Sequence, residues 1–280
     1  MEKDETKQVA ANLNHDKLRI KRTPYMQDKY VADVGDFGKF QLFRYLFNHK
    51  ESPMDGKELA QIWFMHEGEG EENNDGRHID YFERMMGSDE YLEDSLLNLI
   101  MRDKREVTEL ESLKLLKNAK FFYEKVPRAL EDRYLWLNTA LTFSSKVQVV
   151  AVAPDNGMAL KCKRGEQRFE FLTLEKHYSQ KVYPHKYIFA DEVRYFYQLP
   201  HLEVCIVYQH LNRCFAHNVQ IESLLGDLRK EYFHVIAIKH KPYSPRAFFF
   251  LCKSEVIKDS IEMRLDMFAT EFSEFWEVFR

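Results

Sequence analysis

Val147-Gln-Val-Val-Ala-Val-Ala-Pro-Asp-Asn-Gly157 is oily for seven positions, with Gln148 the only polar residue among them, and then turns into Pro154, Asp155, Asn156 and Gly157. The fold depends on how this stretch is read. A short β-branched run closed by a turn signal is a strand, and one without polar alternation is a strand whose two faces both avoid water. Strands of that kind belong to sheets covered by helices on each side. The turn then delivers a carboxylate and a carboxamide at the strand's carboxyl end, where ligands of open α/β sheets bind.

The same pattern repeats on either side. Residues 61–66 (QIWFMH), 120–124 (KFFYE), 203–208 (EVCIVY), 233–240 (FHVIAIKH) and 246–252 (RAFFFLC) read as strands. Between them, helical spacing covers 36–47, with Phe37, Phe40, Phe43 and Leu46 on one face and Asp36 as its cap, then about 89–102, 106–117, 128–144, 191–199 and 219–232. Residues 241–245 are too few for a helical crossover, so the last two strands pair antiparallel. The expected architecture is α/β and Rossmann-like: a mainly parallel sheet with helices on both faces and a C-terminal antiparallel strand pair. It forms a single domain over 30–280, with a candidate inserted hairpin at 160–183. Residues 1–29 are polar, mixed in charge and without apolar periodicity, so they read as an extension outside the core.

Composition narrows the function classes. Forty-one Lys and Arg against 45 Asp and Glu give a formal charge of -4, so no global basic field argues for nucleic-acid binding, although a local patch is compatible. Cys162, Cys205, Cys214 and Cys252 contain no CxxC pair and read as reduced, mostly buried thiols. The N-terminal stretch lacks the apolar core of a signal peptide or membrane anchor, which makes a cytoplasmic location the default expectation.

Four polar segments fall at strand ends or next to them: 36–39 (DFGK), 73–78 (NNDGRH), 154–157 (PDNG) and 208–210 (YQH). Singly, each reads equally as a cap, a turn or the wet end of a strand. Together, at matching ends of successive strands, they point to one site. Gly68 and Gly70 in the loop 67–76 would let backbone amides approach a ligand. The four glutamates there disfavour a pyrophosphate but tolerate a cation such as S-adenosylmethionine. Arg246, in Ser244-Pro-Arg246, has the chemistry to meet a phosphate or carboxylate. His78 and His210 are candidate acid-base groups or metal ligands.

The strand pattern with its antiparallel finish resembles class I S-adenosylmethionine-dependent methyltransferases. The order of motifs, an Asp-and-Lys helix (Asp36, Lys39), a Gly-containing acidic loop (67–76) and a strand ending at 153–156, resembles the ribosomal-RNA adenine-N6 methyltransferases. The words DVGDFGK, NNDGRHI, PDNG, YQH and RAFF, spread over about 30–252, are more closely similar to an uncharacterised bacterial family that carries them in this order.

The methyltransferase resemblance implies S-adenosylmethionine held by the 67–76 loop (Gly68, Gly70, Asn74, Asp75, with His78). Asp155, Asn156, Asp36, Lys39 and His210 would carry the chemistry, and Tyr208, Gln209 and Arg246 would bind the substrate, with nucleic acid as the acceptor class. The chain departs from the Asp-Pro-Pro-Tyr-like element, having Ala153-Pro154-Asp155-Asn156, so the residue that would hold the target amine and the stacking ring are both missing. Two alternatives stay open. One is a Mg²⁺-dependent nuclease or phosphoesterase using Asp36, Asp75, Asp155 and Asp191 or Glu192, with Arg246 on a phosphate. The other is a non-catalytic recognition subunit with a protein partner in a bacterial defence or modification cassette.

Overall fold

The computed structural model describes residues 25–50, 52–67, 76–79, 85 and 88–280. Its centre is a seven-stranded sheet in the order β2-β1-β3-β6-β8-β7-β9. The strands are β1 (Leu59–Trp63), β2 (Ala119–Phe122), β3 (Val149–Ala153), β6 (Val204–His210), β7 (His234–His240), β8 (Arg246–Cys252) and β9 (Trp276–Phe279). β1 is parallel to β2 and β3, and β3 is parallel to β6. β8 then runs antiparallel between β6 and β7, and β9 is antiparallel to β7 at the edge.

The sheet is therefore mixed. The mainly parallel expectation describes β2 to β6, while the remaining pairings are antiparallel. The C-terminal pair joined by residues 241–245 forms as expected, because so short a link can only reverse the chain. β9 was not expected, since four residues after a long helix carry too little pattern to register as a strand.

Successive side chains along each strand point to opposite faces, and here both faces are covered. Leu59, Trp63, Val149, Ala151 and Ile206 join one core with α2 (Val34–Phe47), α3 (Glu90–Met101), α4 (Val107–Ser112) and α9 (Glu255–Glu271). Ala60, Ile62, Val150, Val152 and Val207 join the other with α5 (Leu130–Phe143), α7 (Ala190–Tyr197) and α8 (His217–Tyr232). That double cover is why residues 149–153 show no polar alternation.

Three details differ from the sequence reading. The cap of α2 is Asp33 rather than Asp36: its Oδ1 accepts from the amides of Gly35 (2.7 Å) and Asp36 (2.9 Å), so the helix begins two residues earlier. The extension drawn to residue 29 is shorter at its described end, because α1 (Met26–Tyr30) packs with Met26 and Gln27 buried. Residues 1–24 lie outside the described residues. Cys162 and Cys214 are joined as a disulfide, which corrects the all-reduced reading, while Cys205 and Cys252 are buried thiols. Residues 160–183 contain an antiparallel hairpin, β4 (Leu160–Lys163) with β5 (Arg168–Phe171), followed by the short α6 (Leu174–His177). Among the described residues no helix is long and apolar enough to cross a membrane.

Candidate functional site

Beyond the carboxyl ends of β1, β3 and β6, and beside the first turn of α2, lies a cleft of about 480 Å³. That volume falls in the usual range for small-molecule sites. Asp36 and Lys39 from α2, Asp155 and Asn156 from the turn after β3, and Tyr208 and His210 from β6 all line it. So do His78 and Arg246. Gly68, Gly70, Asn74 and Asp75 lie outside the described residues.

Gln209 does not line the cleft. Its position on the strand turns it to the opposite side from Tyr208 and His210. There its Oε1 accepts from the Met158 amide (2.8 Å), and its Nε2 donates to the carbonyls of His210 (2.8 Å) and Asn156 (3.3 Å). It braces the turn that presents Asp155, and its assignment to substrate is corrected on that ground. The turn needs glycine at 157, where φ is +83° and a Cβ would lie 2.6 Å from the Gln209 Oε1.

Two buried polar groupings shape the cleft. In the first, Lys39 Nζ lies 2.7 Å from Asp36 Oδ1 and 3.7 Å from the centre of the Trp63 ring. Burial pulls the lysine below its ordinary value, with the Asp36 charge working against that shift. In the second, Asp155 Oδ2 is 2.6 Å from His66 Nε2, and Asp155 Oδ1 accepts from Gln27 Nε2 at 2.7 Å. Gln27 Oε1 in turn accepts from the His66 amide at 2.9 Å, closing a three-residue loop of bonds. The His66 Nδ1 faces the Glu67 carbonyl at 3.1 Å, and its ring meets the His185 ring at a centroid separation of 4.8 Å. Burial, with His66 adding to it, pushes His185 down to about 4.

Sequence reasoning missed Gln27, Asp33, Trp63 and His66 as site residues. Trp63 and His66 carried a usable signal, since they stand at and just past the end of β1, as Ala153 and Asp155 do for β3. Gln27 carried none, being one glutamine in a polar run.

Asp33 gives the cleft a pH signature. Burial is the main cause that lifts its carboxyl to about 6, with Arg246 opposing the rise and Asp36 adding to it. The folded chain thus keeps a proton here that the unfolded chain, at 3.8, has released, so this group's contribution to stability falls as pH rises from 3.8 to about 6. Asp33→Asn, which still caps the helix, is expected to remove that component when urea unfolding is followed from about pH 4 to 7. An unchanged pH profile would clear Asp33 as its source.

Of the residues considered for Mg²⁺, Asp191 accepts the Leu174 amide at 2.8 and 3.0 Å and Glu192 pairs with Arg133, so neither reaches the cleft. Among the described residues no three His, Cys, Asp or Glu side chains gather as metal ligands would. No family model, curated protein or solved structure matches the chain.

Proposed function

We propose that this chain is an S-adenosylmethionine-binding, methyltransferase-like protein whose acceptor is a nucleic acid. The observation that carries the reading is the mixed charge of one cleft beyond the strand ends: Asp33, Asp36 and Asp155 line it together with Lys39, Lys186 and Arg246. A ligand that itself carries both signs, as S-adenosylmethionine does with its carboxylate, ammonium and sulfonium, suits such a cleft better than a pyrophosphate, which the carboxylates repel. The strand order supports the Rossmann-like, methyltransferase-like comparison. Parallel strands extend from β2 to β6, and an antiparallel strand is then inserted between β6 and β7. The nucleic-acid acceptor comes from the sequence resemblance alone.

Within this reading Asp155 is a positioning residue, because His66 and Gln27 occupy its two oxygens. Isothermal titration of folded protein with S-adenosylmethionine and S-adenosylhomocysteine is expected to give saturable one-site binding. Absence of heat and of any thermal stabilisation by either compound would remove the proposal.

A recognition subunit without turnover is the second reading. It is favoured by Ala153, which lines the cleft where the resemblance calls for a group able to hold an amine. It differs in outcome: cofactor binding without methyl transfer to any oligonucleotide.

A further inference from the structure

Beside the first turn of α2, two opposite charges stand close together without pairing. Asp33 is 6% exposed and Arg246 is 8% exposed, and both line the cleft. Asp33 spends Oδ1 on the Gly35 and Asp36 amides, and Oδ2 has no described partner. Arg246 donates through Nε to the Ser244 carbonyl at 3.0 Å. Among the described residues its terminal nitrogens make no hydrogen bond, and it forms no ion pair.

Gly35 is what allows this arrangement. A Cβ at that position would lie 1.6 Å from Arg246 Nη1 and 3.0 Å from Asp33 Oδ1, so any larger residue would displace the guanidinium from the helix start. Nearly buried opposite charges normally meet each other or a ligand, because an unpaired charge out of water is costly. Here each has an unused bonding face on the same cavity.

We propose that Arg246 and Asp33 bind the head of an α-amino acid, the guanidinium taking its carboxylate and the Asp33 carboxylate taking its ammonium. A planar fork suits a carboxylate in two-point contact. A phosphate dianion fits poorly, since Asp33 and Asp36 stand beside the arginine. The inference deepens the cofactor reading, because S-adenosylmethionine carries such a head, but a free amino acid carries it too, and the test separates the two sources.

Four probes are titrated into wild-type protein, Arg246→Lys and Gly35→Ala: S-adenosylhomocysteine, its analogue lacking the carboxylate, 5′-methylthioadenosine, which lacks the whole head, and L-methionine. Circular dichroism checks that each variant is folded. S-adenosylhomocysteine is expected to bind wild type at least about ten-fold more tightly than the decarboxylated analogue, and both variants should lose about that factor for S-adenosylhomocysteine alone. Equal affinity for S-adenosylhomocysteine and the decarboxylated analogue overturns the head-group assignment and leaves the cofactor reading standing. Stabilisation by L-methionine that depends on Arg246, with no binding of any adenosyl compound, keeps the head-group site and removes the cofactor reading. If no probe binds folded wild-type protein, both fall.

Discussion

Glu192→Ala is expected to destabilise the protein by about 3–5 kcal/mol, the cost of removing one partner from a buried ion pair. Arg133 and Glu192 are both fully buried, with Nε 2.6 Å from Oε1 and Nη2 2.9 Å from Oε2. The guanidinium also lies over the Phe64 and Trp136 rings, at 4.9 and 4.5 Å, and donates to the Tyr187 carbonyl at 3.1 Å. Glu192 Oε2 in turn accepts the Phe189 amide at 2.9 Å.

Truncating the glutamate leaves a positive charge in an apolar layer with one carbonyl for company, and it frees the amide that begins α7. Replacing the whole pair with Arg133→Met and Glu192→Leu should recover most of the loss, because two apolar groups have no charge to desolvate. Urea unfolding of the single and double variants checks this. A single variant within about 1 kcal/mol of wild type would show that the pair does not carry the stability assigned to it.

The second large effect is expected at Asp155→Ala. That change strips the acceptor from His66 Nε2 and Gln27 Nε2 together, at a cost of about 2–4 kcal/mol for two poorly solvated donors. Its particular consequence is local. Gln27 belongs to α1, and its bond to Asp155 is one of the ties between that helix and the sheet; another is the Met26 amide donating to the His66 carbonyl at 2.8 Å. Amide hydrogen exchange over 26–30 should therefore rise more than exchange in β3 or β6. Unchanged exchange in α1 beside a normal unfolding curve would show that the three-residue loop of bonds is not what docks it.

The parts of this architecture that were legible in the sequence share one physical cause. Val149–Val152, Val204–Val207 and Ala247–Cys252 are buried on both faces, so water exclusion is written into each of these runs, and the polar residues that border them stand out by contrast. The Asp-Asn turn after β3 and the Tyr208 and His210 positions were visible on that basis. What was not legible depends on contacts between residues distant in sequence. Gln27 sits 128 positions from Asp155, and nothing local marks it as different from the glutamine at 8. Asp36 reads as the cap because it precedes the apolar spacing, but Asp33 stands before the same spacing, and the backbone geometry places the cap there. Gln209 lies between two cleft residues in a polar triplet, and only the strand's two-residue alternation separates a brace from a ligand contact. The Cys162–Cys214 bond joins a hairpin to the loop after β6, and pairing among four cysteines cannot be read from their spacing.

The reversed course of β8 has a consequence for biosynthesis. Because β8 enters between β6 and β7 only after β7 has been made, a chain still emerging from the ribosome holds an open slot in the middle of its sheet until about residue 252 is free. Arg246, one wall of the cleft, arrives with that late segment, whereas α2 and β1 are made some two hundred residues earlier. The cleft is then complete only once this segment has been made, and nascent forms halted before β8 leave the facing borders of β6 and β7 unpaired, surfaces of the kind that a chaperone or a neighbouring nascent chain can seize.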